Sequence, residues 1–419
     1  MRQKLPIPIM IAFASIVFST IVFSAGKAPL ISLTVDATEA PRKIFHATMT
    51  VPVQPGPLTL LYPKWIPGEH GPSGPVVELT GLKLHAAGKD IPWKRDLLDP
   101  FTFHCVVPAG ATTLEVSLDY LSPSEVEGFS GGASATSNLA VISWHQLLLY
   151  PQGWSDTELK CDPKLKLPDG WKHGSALVVA KESDNIVHYK QVSLNTLVDS
   201  PVITGRHFRK VDISIDSVPH QMNLAGDTES SIAISSELIQ QHKRLVAEAN
   251  ALFGAHHYEK YDFLYAFSDF IASFGLEHHE SSDNRVAERT LSDPDLWRSS
   301  ADLLPHEMVH SWNGKYRRPA NLTTPDPQAP MQTDLLWIYE GLTQYLGVVL
   351  AARSGLWTAE DFRENLAWVA AYLDKRSGRS WRPLVDTAVF AHHLYGARSE
   401  WADWRRRVDF YNEMILVWL

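Results

Sequence analysis

From residue 28 to about 225, apolar and polar positions alternate in short runs. Leu30-Ile31-Ser32-Leu33-Thr34-Val35, Leu114-Glu115-Val116-Ser117-Leu118 and Val211-Asp212-Ile213-Ser214-Ile215 keep a period of two, as strands with one buried face require. Pro/Gly turns separate the runs, which predicts an antiparallel β-sandwich. Within this region, three prolines between Pro63 and Pro72 fix φ and predict a rigid loop. Gly128 to Asn138 reads as a flexible Gly/Ser loop.

Beyond residue 230 the period changes. Ser235-Ser236-Glu237 opens a helix on which Leu238, Ile239, Leu245, Val246, Ala249 and Leu252 recur at about 3.6 spacing, and Gly254 ends it. Tyr261 to Phe267 reads as a strand, and further helices fit 302–313, 335–352 and 359–376. No internal repeat is visible. The expected fold is α+β: a sandwich over residues 27–225, a boundary at Ala225-Gly226-Asp227, and a mostly helical domain over 226–419.

The chain opens differently. Arg2 and Lys4 precede 22 residues without charge, apolar from Ile7 to Phe23 and ending in Ser24-Ala25-Gly26. That pattern predicts a secretory signal peptide over residues 1–26, hence a periplasmic or secreted protein not inserted in a membrane after cleavage. The rival reading is an uncleaved anchor, because the stretch is long enough to span. With 45% hydrophobic and 20% charged residues in 419, the composition is globular and excludes a disordered chain. The net charge of −9 leaves no basic excess for nucleic acid. Two cysteines exclude a disulfide scaffold and a four-cysteine zinc ribbon. Cys105 and Cys161 could pair in an oxidising compartment or stay as separate buried thiols. Oligomeric state leaves no mark in the sequence.

The chemistry concentrates in His306-Glu307-Met308-Val309-His310, a HExxH pattern. Four residues of helix bring both histidines to one face, close enough for two imidazoles to bind one zinc. Glu307, beside the first histidine, can act as general base on a water activated there. Asp302 is placed to cap this helix, Pro305 stands in its first turn, and Asn313-Gly314 stops it. A catalytic zinc needs a third protein ligand. Between Asp334 and Arg353 lie 18 residues with one charge, Glu340. A lone carboxylate in an apolar helix is costly in a membrane or a core unless it is paired or binds metal. Glu340 is therefore the third ligand expected for a single Zn2+. Gln344 and Asn313 are candidates to orient the ligands.

These residues, with Ser311-Trp312-Asn313, Arg317-Arg318-Pro319, Trp337 and Glu340-Gly341-Leu342-Thr343, resemble the glycyl aminopeptidase family of gluzincin metallopeptidases. Trp65-Ile66-Pro67-Gly68 resembles that family's N-terminal domain. The thirty-residue step from His310 to Glu340 is similar to the family's. The resemblance implies an N-terminal β domain, a thermolysin-like catalytic domain and a C-terminal PDZ domain. No PDZ domain stands in this sequence, and the catalytic domain is expected to be cut short. Zinc-dependent removal of glycine or another small residue from a peptide's free N-terminus is implied.

Within that resemblance, Gly275 and Glu277 match an edge strand whose glutamate holds the substrate's α-amine. A charged amine entering a closed site needs such an anion. Adjacent His278 and His279 read as loop or pocket residues, since neighbours on a strand face opposite ways. Tyr411 matches a tyrosine that donates to the oxyanion of the tetrahedral intermediate, although Glu413-Met414 replaces the usual Lys-Gly. Arg317 and Arg318 read as solvent or domain contacts, and His392 and His393 lack spacing for a second metal. Two alternatives stay beside the aminopeptidase: a zinc endopeptidase of the same fold, and an exported peptide-binding protein without catalysis.

Overall fold

The computed structural model of the chain describes residues 28–128 and 131–419. The expected signal segment, residues 1–26, lies outside them. The fold is α+β, as expected: a mostly β first half followed by a helical second half.

The first half alternates as its sequence does. In Leu30–Asp36, Ile31, Leu33 and Val35 face inward. This strand pairs antiparallel with Ile44–Pro52 and parallel with Lys160–Lys166, so a nine-stranded sheet that is otherwise antiparallel carries one parallel junction. A four-stranded sheet including Gly56–Leu61 and Thr102–Val107 shares its apolar core. Cys105 lies on the smaller sheet and Cys161 on the larger, and both are free and buried. Burial pushes the Cys161 thiol up to about 12, so it stays protonated and behaves as an apolar side chain. From residue 131 onward, the loop expected to be flexible packs inward, with Ala133, Ser134 and Ala135 buried.

A five-stranded sheet carries the second half. Its order is His207–Asp212, His220–Gly226, Tyr261–Phe267, Ser281–Val286 and Phe274–Glu277. The expected boundary near residue 225 therefore falls inside this sheet, because its first two strands precede it. They have the same period-two signal as the sandwich, and periodicity cannot say which sheet a strand joins. The three central strands run parallel. Tyr261–Phe267 and Ser281–Val286 are buried at every position, as strands covered on both faces are. Helix Ser236–Phe253 covers one face, capped by the Ser235 hydroxyl and ended by Gly254 in the left-handed conformation. On the other, Leu139, Val141 and Ile203 from the first half pack against Ala225, Leu264 and Ala266.

Two helices carry the HExxH pattern and Glu340. The motif helix, Leu303–Val309, is shorter than expected. Beyond it the chain tightens into i→i−3 bonds at Ser311 and Trp312. Asp302 makes no side-chain cap; its carboxylate instead accepts from Gln344 Nε2 at 3.1 Å. The glutamate helix, Leu336–Ser354, packs against the motif helix through Gly347, where an added Cβ would stand 3.0 Å from His306 Cα. No helix among the described residues is long and apolar enough to cross a membrane; this apolar helix is buried in the protein.

Candidate active site

The close approach at Gly347 fixes the geometry that follows. His306 Nε2 and His310 Nε2 stand 3.1 Å apart, and Glu340 Oε2 lies 3.3 and 3.2 Å from them. Glu340 Oε2 is buried and makes no well-oriented hydrogen bond. Three ligands placed tetrahedrally at 2.0–2.1 Å from one ion stand about 3.4 Å apart. The donor set and its spacing therefore fit a small divalent metal. Glu307 shares the cluster, its carboxylate lying within 4.8 Å of both imidazoles.

The surroundings orient these groups. His310 Nδ1 hydrogen-bonds the Asn313 carbonyl at 3.0 Å, leaving Nε2 toward the cluster. Asn313 Nδ2 in turn donates to Tyr339 O and Thr343 Oγ1, tying the motif to the glutamate helix. Asn313 thus has the orienting contact expected of it, through its backbone. Gln344 reaches Asp302 and no ligand.

Phe274–Glu277 is the sheet's edge strand. Gly275 lies so near Glu307 that an added Cβ would stand 2.0 Å from Oε1. Two positions on, Glu277 accepts from the Tyr339 hydroxyl. It is 3% exposed, and no cation pairs directly with it among the described residues. Its carboxyl is nevertheless held below the usual range: burial alone would raise it, but His310 and Lys315 lower it. Burial pushes Glu307 the other way, well above that range.

Tyr411, on helix Phe410–Trp418, has its ring 6.0 Å from that of His306. Its hydroxyl lies 2.5 Å from that of Tyr395. The unexpected Glu413-Met414 has structural partners: Glu413 pairs with buried Arg406, and Met414 packs on Gly341. Arg317 lies over the Tyr316 ring. Arg318 donates to Gly314 O at 2.7 Å and lines a small cavity with Gly68, His70 and Tyr339. His392 meets the Trp65 ring edge-on at 6.1 Å, with His393 beside it.

Sequence reasoning missed His70. The proline-rich loop from the first half is fastened to the second by Trp65 N–H donating to Pro327 O at 2.7 Å. It turns through Gly68 and His70, both at positive φ. His70 Nε2 hydrogen-bonds Glu340 Oε1, and its ring meets Tyr339 edge-on at 5.3 Å. Tyr339, Tyr395, Asp199 and Lys315 were also missed. Tyr339 sat beside Glu340 in an apolar run, and Lys315 five positions past His310; neither spacing carries a motif.

The two halves match one family. The Peptidase M61 N-terminal domain profile fits residues 32–206, and the M61 glycyl aminopeptidase profile fits residues 299–417. The chain belongs to the M61 glycyl aminopeptidase family. Among solved structures, an aminopeptidase N family protein from Idiomarina loihiensis is similar at a TM-score of 0.78 and 19% identity. That likeness shows a shared fold. It covers 92% of this chain and 65% of the other. No curated protein matches the chain by sequence.

Proposed function

We propose that the chain is a zinc aminopeptidase that removes glycine or another small residue from a peptide's free N-terminus. His306, His310 and Glu340 would hold one zinc ion, the divalent metal that two imidazoles and a carboxylate suit best. When bound, zinc polarises a carbonyl and makes water acidic enough to lose a proton near neutral pH.

The protein's own groups do the rest. Glu307 accepts the proton of the attacking water and returns it to the departing amine. Gly275 leaves it room, since any side chain there would occupy the carboxylate's place. Tyr411 donates to the oxygen that gains charge as the carbonyl becomes tetrahedral. Glu277 binds the substrate's ammonium group. The observation that carries the reading is this last carboxylate: buried beside the cluster, with no cation among the described residues paired to it. A buried anion calls for a cation, and a free N-terminus supplies one. Export by the N-terminal segment is part of the same proposal.

The test uses the full chain loaded with zinc. Glycyl and alanyl p-nitroanilides should be hydrolysed and their N-acetylated forms should not. Cleavage of both would leave a zinc peptidase but remove the aminopeptidase. Zinc bound without hydrolysis of any free-amine substrate would favour a binding protein.

A further inference from the structure

A second buried charge lies close to the amine subsite. The Lys315 side chain is 3% exposed, and a buried ammonium needs an anion. Its anion comes from the first half of the chain. Asp199 follows the short helix Leu194–Val198, and its Oδ1 accepts from Lys315 Nζ at 2.8 Å and from His278 Nδ1 at 3.2 Å. Oδ2 accepts from the His279 backbone N–H at 2.8 Å. One carboxylate thus grips both the residues that follow Glu277 and the lysine that follows the motif helix. Lys315 N–H also donates to His310 O at 2.8 Å, and the Ser311 hydroxyl donates to His279 O at 2.7 Å.

We propose that Asp199 is a positioning residue that keeps Lys315 from pairing with Glu277, and so leaves Glu277 open to the substrate's ammonium. The inference rests on the reading of Glu277 given above. Lys315 and a peptide's N-terminus are both ammonium groups, and Asp199 holds Lys315 beside the two residues that follow Glu277. Lys315 already acts on Glu277 through space. Paired with Asp199, it contributes field without occupying the carboxylate. Released, it would be an intramolecular competitor at high effective concentration.

Asp199→Asn tests this with little change of shape: the amide keeps one acceptor oxygen, while the charge and the second acceptor are lost. In the full zinc-loaded chain, KM for glycyl p-nitroanilide should rise about tenfold, with kcat changed much less. Adding Lys315→Met to Asp199→Asn should bring KM back toward wild type, since the competitor is gone. A merely structural Asp199 would give a double variant worse than the single, and that result overturns the proposal. An unchanged KM in a folded, zinc-retaining Asp199→Asn chain overturns it as well. Glu277→Gln is measured alongside. If it raises KM while Asp199→Asn does not, only the role of Asp199 fails. If Glu277→Gln leaves KM unchanged, the amine subsite itself fails and this inference with it.

Discussion

His70, from the first half of the chain, hydrogen-bonds the Glu340 oxygen that faces away from the two histidines. One carboxylate therefore has both oxygens engaged, one toward the two histidines of the motif and one toward a loop of the other half. His70 holds a positive φ, uncommon for a residue other than glycine, which marks a position fixed by its surroundings. Removing the donor should loosen Glu340. His70→Ala is expected to weaken zinc binding by about 10–100-fold, read by competition with a chelator. His70→Gln, which keeps an N–H donor, should recover part of that loss.

Gly275 gives a sharper test of the base. A methyl group there would overlap Glu307 Oε1 and crowd Leu303 Cδ1, 2.6 Å away. Gly275→Ala should therefore displace the Glu307 carboxylate and lower kcat by about a hundredfold, the scale of a general base lost. Zinc content should stay intact. Glu307→Gln should lose turnover more completely, again with metal retained. Steady-state kinetics with metal analysis would separate the two.

The phenol pair makes a separate claim. Burial, then Glu340, pushes Tyr411 and Tyr395 well above the ordinary tyrosine range, so both stay protonated donors at neutral pH. Tyr411→Phe should lower kcat by about 2.7–4 kcal/mol of transition-state stabilisation, with KM little changed. Tyr395→Phe should cost less, because Tyr411 keeps its own hydroxyl. Equal kcat in Tyr411→Phe and wild type would remove Tyr411 from the mechanism.

Acid stability follows from two histidines away from the cluster. Burial holds His145 down at about 3 and His242 at about 4, against about 6.5 unfolded. Both are neutral when folded, so between about pH 6.5 and 4 the unfolded chain binds more protons. Stability should be fully present above that window and fall through it, at up to about 1.4 kcal/mol per pH unit for each group. Denaturant midpoints measured from pH 7 to 4 should show a shallower fall in the His145→Gln/His242→Gln double variant than in wild type.

Much of this architecture was readable from the pattern of residues. The 3.6 period between Ser236 and Phe253 and the strand Tyr261–Phe267 appear where burial requires them, because each buries its own apolar set. HExxH and the single charge of the glutamate helix pointed to His306, His310 and Glu340 because helical geometry turns spacing into proximity. His70 and Asp199 were not readable in this way. Each reaches the site through the docking of one half on the other, and no local period records which loop a distant helix will meet. Asp302 was misread for a related reason: its carboxylate met Gln344, 42 positions away, before it could cap its own helix.

The pairing of His70 with Glu340 spans 270 positions. At about 5–20 residues per second of synthesis, roughly ten to fifty seconds pass between the emergence of the two. The first sandwich can fold in that interval, with its proline-rich loop already shaped, before Glu340 has been made. Contacts of such long range form late. The order of the chain therefore makes assembly of the proposed site wait for the Leu336–Ser354 helix and for the docking of the two halves.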